Sequence, residues 1–210
     1  MNLFDKYYQD TPDYFGSYPP IHFKEAYKRY VPFAGKALDL GCGQGRFSKF
    51  LADKGFEVTS VDLSAIGIQQ LDSFARTAKK AIVAIHDNVL NFPILAGRYE
   101  LIVAATILDH LSVRDARTLA GKIYGGLAPY GVAYIECHTE GDAGCRAGRG
   151  EKCLAVSECR SQIRHFFCKG QLLRWFEKGR TLSYEEAEFM DDAHGPVHSH
   201  EFARLWTQKV

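Results

Sequence analysis

The chain has 210 residues, 46% of them hydrophobic, which is enough for one domain with a sizeable buried core. Its 26 lysines and arginines balance 25 aspartates and glutamates, so a net charge of +1 provides no overall field that would attract nucleic acid. No apolar run approaches the length of a membrane span, and the first ten residues lack the basic and apolar regions of a secretory signal. We therefore expect a cytoplasmic protein that binds neither nucleic acid nor a membrane.

The first twenty residues are rich in aromatic side chains and end in the proline pair Pro19-Pro20. Because proline pairs stop regular structure, this stretch predicts a short helix followed by an irregular arm. A helix over residues 21–31 is expected to lead from the arm towards the first strand.

The stretch from Lys36 to Asp62 predicts a strand, a glycine-rich turn, an amphipathic helix and a second strand. The turn contains Gly41, Gly43 and Gly45, whose lack of a Cβ lets a ligand approach the backbone closely. Apolar residues then recur at i, i+3 and i+4, which indicates a helix that packs on a sheet. Asp62 ends the second strand, about 20 residues past the glycines, where an acid usually holds a ribose diol.

The glycine pattern narrows the kind of nucleotide. The dinucleotide fingerprint G-x-G-x-x-G needs a small residue where this chain has Arg46, and no G-K-[ST] follows to form a phosphate loop. What remains is D-x-G-C-G-x-G after a strand, with Asp39 just before the turn. An acid there would repel a pyrophosphate but suits a ligand with an amino group and a sulfonium charge. The segment resembles the first motif of the class I S-adenosylmethionine-dependent methyltransferases.

Strands and helices continue to alternate at the spacing of βαβ units, which predicts a doubly wound α/β sheet. Near the end of the chain, two strands that flank an HGPVHSH turn are expected to pair as an antiparallel hairpin. The resemblance accordingly implies a Rossmann-like, seven-stranded, mostly parallel sheet with helices on both faces and the last strand antiparallel. The elements predicted after Asp62 are helices near Ala65–Lys79, Val113–Leu127 and Leu172–Phe176 and strands near Ala81–Ile85, Tyr99–Ala105, Val132–Cys137, Thr181–Met190 and Glu201–Lys209, with a turn at Ala128–Gly131.

A single methyltransferase domain over residues 1–210 is therefore expected. The closing R-H-F-F and H-x-H-x-F-A-R patterns are similar to small bacterial methyltransferases of the tellurite-resistance type. The four expected parts are an N-terminal helix and aromatic arm acting as a lid (1–30), a cofactor-binding core (36–137), a variable segment containing cysteines (138–180) and a terminal β-hairpin (181–210).

The resemblance implies S-adenosylmethionine as the cofactor, with S-adenosylhomocysteine as its product. Gly41, Gly43 and Gly45 would let the backbone approach the amino-acid part of the cofactor. Asp39 would face its ammonium group, directly or through water. Asp62 would accept two hydrogen bonds from the ribose hydroxyls, a geometry that suits a carboxylate.

Five further positions complete the cofactor site that the resemblance implies. Asp87 would lie against the adenine amino group, and Asn88 could read an adenine edge, although His86-Asp87 could instead be a helix start or a turn. Leu63 would be an apolar neighbour of the adenine. Ala105 would offer a backbone carbonyl near the cofactor's amino group, and Cys42 would serve as a small residue of the turn.

The aromatic arm bears on the class of substrate. In the resembled fold an N-terminal arm commonly covers the cofactor, and aromatic faces also stabilise a sulfonium cation. A lid of this kind suits a small, partly apolar or soft acceptor, whereas the alternative is that the rings only pin the arm to the domain. The rings belong to Tyr7, Tyr8, Tyr14, Phe15 and Tyr18.

No catalytic residue is assigned from the sequence. Methyl transfer from a sulfonium is an in-line displacement, and a general base is needed only if the acceptor atom arrives protonated. Histidines that could titrate near neutrality are the candidates, and the group near the last strand could be a surface turn, a base or part of a metal site. These candidates are His110, His165, His194, His198 and His200, with Arg164 as a residue that could steer an anionic acceptor.

Five cysteines follow the core, and no C-x-x-C spacing occurs among them. They could be scattered free thiols, or a soft-ligand patch that binds a thiophilic metal or metalloid with help from His138 and His165. No metal ligand is assigned. The cysteines are Cys137, Cys145, Cys153, Cys159 and Cys168.

The function expected from these features is in-line methyl transfer from S-adenosylmethionine to a small-molecule acceptor, by a monomer or a homodimer. Three alternatives remain open: a protein methyltransferase, a catalytically silent relative that binds the cofactor and a partner, and a methyltransferase acting on a thiophilic metal or metalloid.

Overall fold

The computed structural model describes residues 3–142, 145, 165–191 and 198–210. In this part of the chain, seven strands form one sheet in the order β3-β2-β1-β4-β5-β7-β6. Only β7 runs against the others, because it pairs antiparallel with both β5 and β6. The strands are β1 (Lys36–Leu40), β2 (Glu57–Asp62), β3 (Ile82–His86), β4 (Tyr99–Ala105), β5 (Leu127–His138), β6 (Arg180–Asp191) and β7 (His198–Gln208).

Helices cover both faces of this sheet, as the alternation of elements predicted. Serine side chains cap two of them: Ser64 accepts a hydrogen bond from the Gly67 amide and Ser112 from the Asp115 amide, each cap worth about 1 kcal/mol. The helices are α1 (Leu3–Asp10), α2 (Ile21–Tyr30), α3 (Arg46–Asp53), α4 (Ala65–Thr77), α5 (Val113–Gly126) and α6 (Gln171–Trp175), with a 3₁₀ turn at Leu108–His110.

Two apolar clusters hold the layers together, one on each face of the sheet. The first joins α5 and α6 to the sheet, and the second joins α2, α3 and α4 to the other face. Fully buried Phe23 of α2 lies at the centre of the second cluster, with its ring 4.8 Å from Phe47, 4.9 Å from Tyr134 and 5.1 Å from Trp206. Helix α2 therefore fixes the N-terminal region to the strands that carry the candidate site.

Two expectations about the later strands are wrong in detail. The predicted turn at Ala128–Gly131 lies inside β5, which begins at Leu127. Tyr130 adopts a φ of +62°, and the register with β4 shifts here, so the strand passes through an irregularity rather than starting after a turn. His198 and His200 belong to β7 and not to the turn before it.

No helix among the described residues is both long and apolar enough to cross a membrane.

Candidate functional site

The glycine turn between β1 and α3 has a backbone that other residues could not readily adopt. Gly41, Gly43 and Gly45 have φ values of +70°, +53° and +85°. A Cβ at Gly45 would lie 2.3 Å from Leu71, and one at Gly41 would lie 3.0 Å from Ile107. The three glycines are therefore required both by conformation and by close packing.

Asp62 at the carboxyl end of β2 is bound directly to this turn. One carboxylate oxygen accepts a hydrogen bond from the Gly43 amide at 2.8 Å, and the other accepts one from the Ser64 amide at 2.7 Å. Burial raises the pKa of Asp62, and these two amides oppose that rise. Since an ionised carboxylate can accept about four hydrogen bonds, two acceptor positions are left for a diol.

Asp39 lies beneath the turn with only 1% of its surface exposed. Its carboxylate accepts a hydrogen bond from Ser48 Oγ at 2.5 Å, and Ser48 in turn accepts one from Ser60. Burial raises the pKa of Asp39 to about 6, with a further contribution from nearby Asp62 and against the hydrogen bond from Ser48. A cation bound above the turn would lower this pKa and favour the carboxylate.

The other residues predicted to hold the cofactor lie at the same edge of the sheet, because β3, β2, β1 and β4 are neighbours. Asp87 follows β3, and its amide donates to the Asp62 carbonyl oxygen. Asn88 uses its side-chain oxygen to accept from the Leu90 amide, two residues further on. Leu63 is 56% exposed, and Ala105 is buried at the end of β4.

Cys42 is buried within the turn, and burial raises the pKa of its thiol well above the usual range. Such a thiol is poorly ionised and chemically inert at neutral pH. The residue therefore acts as a small side chain of the turn.

The N-terminal arm, residues 3–18, is fastened over the glycine turn. The hydroxyl of Tyr8 lies 2.6 Å from the point that a Cβ on Gly43 would occupy. Asp5 of α1 is buried against the start of α4, where its carboxylate accepts a hydrogen bond from the Ser64 hydroxyl at 2.7 Å. Gln44 of the turn accepts from the Tyr14 amide at 2.7 Å and donates to a backbone carbonyl of the arm.

Charged and aromatic contacts add to this attachment. Lys49 of α3 forms an ion pair with Asp13 at 2.6 Å, and Arg46 donates to the carbonyl oxygen of Phe15. The rings of Tyr7 and Tyr14 stack with their centroids 4.9 Å apart. The arm is thus held by polar bonds to the same elements that form the turn.

A second group of polar side chains, the histidine cluster (Asp109, His138, Asp142 and His200), lies where β5 ends and β7 begins. Asp109 accepts from His138 at both the backbone amide, at 3.0 Å, and ring Nδ1, at 2.5 Å. Asp142 lies 2.9 Å from Nδ1 of His200, and the two imidazole centroids are 4.9 Å apart. All four residues are buried, so His200 is not part of a surface turn.

Burial by itself would raise the pKa of Asp109, but the hydrogen bond and charge of His138 outweigh it and hold the pKa below its usual range. His165 donates its backbone amide to the Asp109 carbonyl oxygen and stacks its ring on Trp175, and burial lowers the pKa of that imidazole. His110 packs edge-on against Phe4 of the arm, with centroids 5.5 Å apart.

Within the described residues, no cysteine belongs to the group of side chains that lie close enough together to share a metal ion. Cys137 is buried in the sheet, whereas Cys168 is exposed and lies 3.1 Å from a carboxylate oxygen of Glu140. Cys145 donates its amide to the Asp142 carbonyl oxygen. Cys153, Cys159, Arg164 and His194 lie outside the described residues.

Several residues of the site carried no signal in the sequence. Gly67 of α4 faces the glycine turn, Gln44 bonds the arm, and Ser64 and Asp5 join α1 to α4. Asp142 lies in the glycine-rich stretch that follows β5. Each contact joins residues distant in sequence, so local periodicity could not have identified them.

Comparison with known proteins supports the same assignment of class. A family model described as a methyltransferase domain matches residues 37–131. The chain is 28% identical over 114 residues to the methyltransferase YqeM of Bacillus subtilis, covering 52% of this chain and 44% of that protein. The chain spans less than half the length of the first curated relatives it matches.

Solved structures share the fold over nearly the whole chain. TehB from Haemophilus influenzae superposes with a TM-score of 0.74 at 20% identity, covering 99% of this chain and 67% of that one. A Burkholderia thailandensis 1,6-didemethyltoxoflavin-N1-methyltransferase, crystallised with 1,6-didemethyltoxoflavin and S-adenosylhomocysteine, has a TM-score of 0.69 at 15% identity, covering 98% of this chain and 84% of that one.

The sheet order, the reversed seventh strand and the glycine turn facing Asp62 define a Rossmann-like methyltransferase fold. This is the fold of the class I S-adenosylmethionine-dependent methyltransferases, and residues 37–131 match the methyltransferase-domain family. The family resemblance stated from the sequence is therefore confirmed. The narrower resemblance to the tellurite-resistance type stays a prediction, because likeness at 20% identity shows the fold alone.

Proposed function

We propose that the protein transfers a methyl group from S-adenosylmethionine to a small-molecule acceptor. The observation that carries this proposal is the pairing of Asp62 with the glycine turn: a carboxylate at the end of β2, held by the Gly43 and Ser64 amides, with acceptor positions left for ribose hydroxyls. The family match over residues 37–131 supports the same cofactor.

The residues present fit this cofactor. Gly41, Gly43 and Gly45 would let its amino-acid part lie against the backbone, and the carboxylate of Asp39 beneath the turn favours a nearby cation. Leu63 is exposed beside the ribose acid, as an apolar neighbour of an adenine would be. When bound, the cofactor supplies a methyl group activated by its sulfonium charge.

A small acceptor is favoured by the position of the arm. The arm lies over the glycine turn and is tied to Gln44, Lys49 and Ser64, so it would exclude water and restrict the size of what reaches the site. The protein's part in the reaction is then to hold the acceptor atom in line with the methyl group. The net charge of +1 gives no support for a nucleic-acid acceptor.

The test is calorimetric titration of the full chain with S-adenosylhomocysteine, with NAD as the control ligand. Asp62→Ala should weaken binding by about 1–3 kcal/mol, the cost of losing hydrogen bonds to a charged acceptor. Asp72→Ala, which removes a partly exposed carboxylate from α4, should bind as the wild type does. Unchanged affinity in Asp62→Ala would show that the ribose assignment is wrong. If NAD bound more tightly than S-adenosylhomocysteine, the proposal of S-adenosylmethionine as the cofactor would be wrong.

A further inference from the structure

The histidine cluster lies outside the residues assigned to the cofactor, and its composition is that of a metal site. His138, Asp142 and His200 each have a nitrogen or oxygen atom that lies within 4.8 Å of the other two. Two imidazoles and a carboxylate are ligands that zinc and similar divalent metals accept readily. We propose that these three residues bind a divalent transition-metal ion of the zinc type.

The contact behind His138 supports this assignment. Asp109 lies 2.5 Å from Nδ1 of the ring, which fixes the tautomer and leaves Nε2 as the atom that would bind the metal. Metal-bound histidines commonly donate their second ring nitrogen to a carboxylate in this way. Asp109 also accepts the backbone amide of His138, so its own position is fixed by two bonds.

The geometry around His200 requires little adjustment. Two atoms bound to one zinc ion at about 2.0–2.1 Å in a tetrahedral arrangement lie about 3.3 Å apart. Nδ1 of His200 and the carboxylate oxygen of Asp142 are already 2.9 Å apart. His138 pairs in register with Phe202 of β7, so His138 and His200 extend from the same face of two hydrogen-bonded strands.

Charge provides an independent argument. Asp109 and Asp142 are 0% and 1% exposed, and the imidazoles that face them, His138 and His200, carry a positive charge only when protonated. Within the described residues, Oδ1 of Asp109 has no hydrogen-bond partner. A bound dication would offset both carboxylates at once.

The number of ligands among the described residues bears on what the proposed ion could do. The described residues supply three ligands, and a structural zinc site usually has four. A three-ligand site keeps a coordination position for water or for an oxygen or nitrogen atom of a bound molecule. The site lies at the end of β5, next to the edge of the sheet that carries the cofactor residues.

The experiment uses the full chain, dialysed against a chelator and titrated with Co²⁺ as the probe. We expect one equivalent of saturable binding with visible d–d absorption bands, which Zn²⁺ should abolish by displacement. Loss of a residue that hydrogen-bonds a metal ligand weakens metal binding by about 10–100-fold, and we expect Asp109→Asn to fall in this range. His200→Ala and Asp142→Asn each remove a ligand and should weaken Co²⁺ binding at least as much. His86→Ala, which removes an exposed histidine at the end of β3, should bind Co²⁺ as the wild type does.

Wild-type protein that shows no saturable binding would overturn the proposal without reference to any variant. Binding that is equal in the wild type and in folded His200→Ala would also overturn it, as would a cobalt–thiolate charge-transfer band, which would move the metal to the cysteines. Folding of each variant is checked by circular dichroism. Because the readout is metal binding alone, it does not depend on methyl transfer or on affinity for S-adenosylhomocysteine.

Discussion

A Cβ on Gly67 would lie 2.8 Å from the carbonyl oxygen of Gly43, so the first turn of α4 touches the glycine turn backbone to backbone. The ring of Tyr8 lies 3.1 Å from the same point. Three elements distant in sequence therefore meet where no methyl group can be accommodated: the glycine turn, α4 and the arm. The same residue, Gly43, donates its amide to Asp62, so we expect this contact to set the position of that amide.

Gly67→Ala is expected to displace the glycine turn and weaken binding of S-adenosylhomocysteine by about tenfold or more, which corresponds to ~1.4 kcal/mol. The helix itself would favour alanine over glycine by about 1 kcal/mol, so propensity cannot be the source of a loss. Calorimetric titration measures the affinity. Gly121→Ala in α5 is the matched control, since its Cβ would meet nothing within 4 Å.

Gly121→Ala should raise the free energy of unfolding by about 0.5–1 kcal/mol, seen as a higher denaturant midpoint. It should bind S-adenosylhomocysteine as the wild type does. Wild-type affinity in Gly67→Ala would mean that the turn can shift without affecting the site, and the close contact would then have no role in binding.

Asp39 gives an expectation for the dependence of stability on pH. Its pKa in the folded protein, about 6, lies above the ordinary value of 3.8 because burial disfavours the charged form. The folded state therefore binds this proton more tightly than the unfolded state, and the group costs stability as the pH rises from about 4 to about 6. Above that range the cost is constant at about 3 kcal/mol.

Asp39→Asn removes this titration and keeps an oxygen to accept the hydrogen bond from Ser48. The variant should gain stability relative to the wild type, and the gain should be about 1.5 kcal/mol larger at about pH 8 than at about pH 5. Urea unfolding at the two pH values measures it. A difference that does not change with pH would show that Asp39 does not titrate in this range.

The sequence was sufficient to predict the parts of the site that depend on local patterns. The glycine turn and Asp62 could be recognised because a strand, a turn without Cβ atoms and an acid at a fixed spacing form a continuous segment. The alternation of elements also predicted the parallel strands, since each element has its own periodicity. The reversed β7 was expected from the turn before it and from what the family resemblance implies.

What the sequence could not predict are contacts between distant segments. The hydrogen bonds from Gln44 to the arm join residues 30 or more positions apart, and His200 meets Asp142 across 58. The predicted start of β5 was wrong because residues 128–131 have turn-like composition. In the structure Leu127 before them already pairs with Tyr99 of β4, and Val132 after them pairs with Leu101, so the strand continues through a register shift. Tertiary pairing overrode local preference there.

The buried carboxylate of Glu136, away from the cofactor site, leads to a prediction about the stability of the fold. Its carboxylate is buried and accepts from Tyr134 and from Arg204, both at 2.7 Å. Burial alone would raise the pKa of Glu136, but the His22 ring, whose Nε2 lies 3.6 Å from the carboxylate, and the charge of Arg204 outweigh it and hold the pKa well below its usual range. The depressed pKa means that this contribution to stability is present above about pH 4.5 and is lost as the pH falls.

Glu136→Gln should destabilise the protein by about 3–5 kcal/mol, because it leaves the buried guanidinium of Arg204 without its main counter-charge. Urea unfolding at neutral pH measures the change. Glu185→Gln is the control, since that half-exposed carboxylate lies 3.5 Å from the same guanidinium and should contribute less than about 1 kcal/mol. Equal losses in the two variants would contradict a special role for the buried pair.

The attachment of the arm can be tested at Gln44, whose side chain accepts from the Tyr14 amide and donates to Thr11 and Gln70. Gln44→Ala should free the arm locally and speed amide hydrogen exchange at Tyr14 by about tenfold, the loss of about 1.4 kcal/mol of local protection. The free energy of global unfolding should fall by less than this ~1.4 kcal/mol of local protection, because the arm adds little to the core.

Tyr18→Phe is the control for the arm, since it removes an exposed hydrogen bond to Asp53 at the far end of the same segment. Exchange at Tyr14 should be unaffected in that variant. In the wild type, S-adenosylhomocysteine should slow exchange across residues 3–18 if the arm closes over the cofactor, because a lid that contacts the ligand is stabilised by it. Protection that rises on ligand binding only in the core would make the arm a structural attachment rather than a lid.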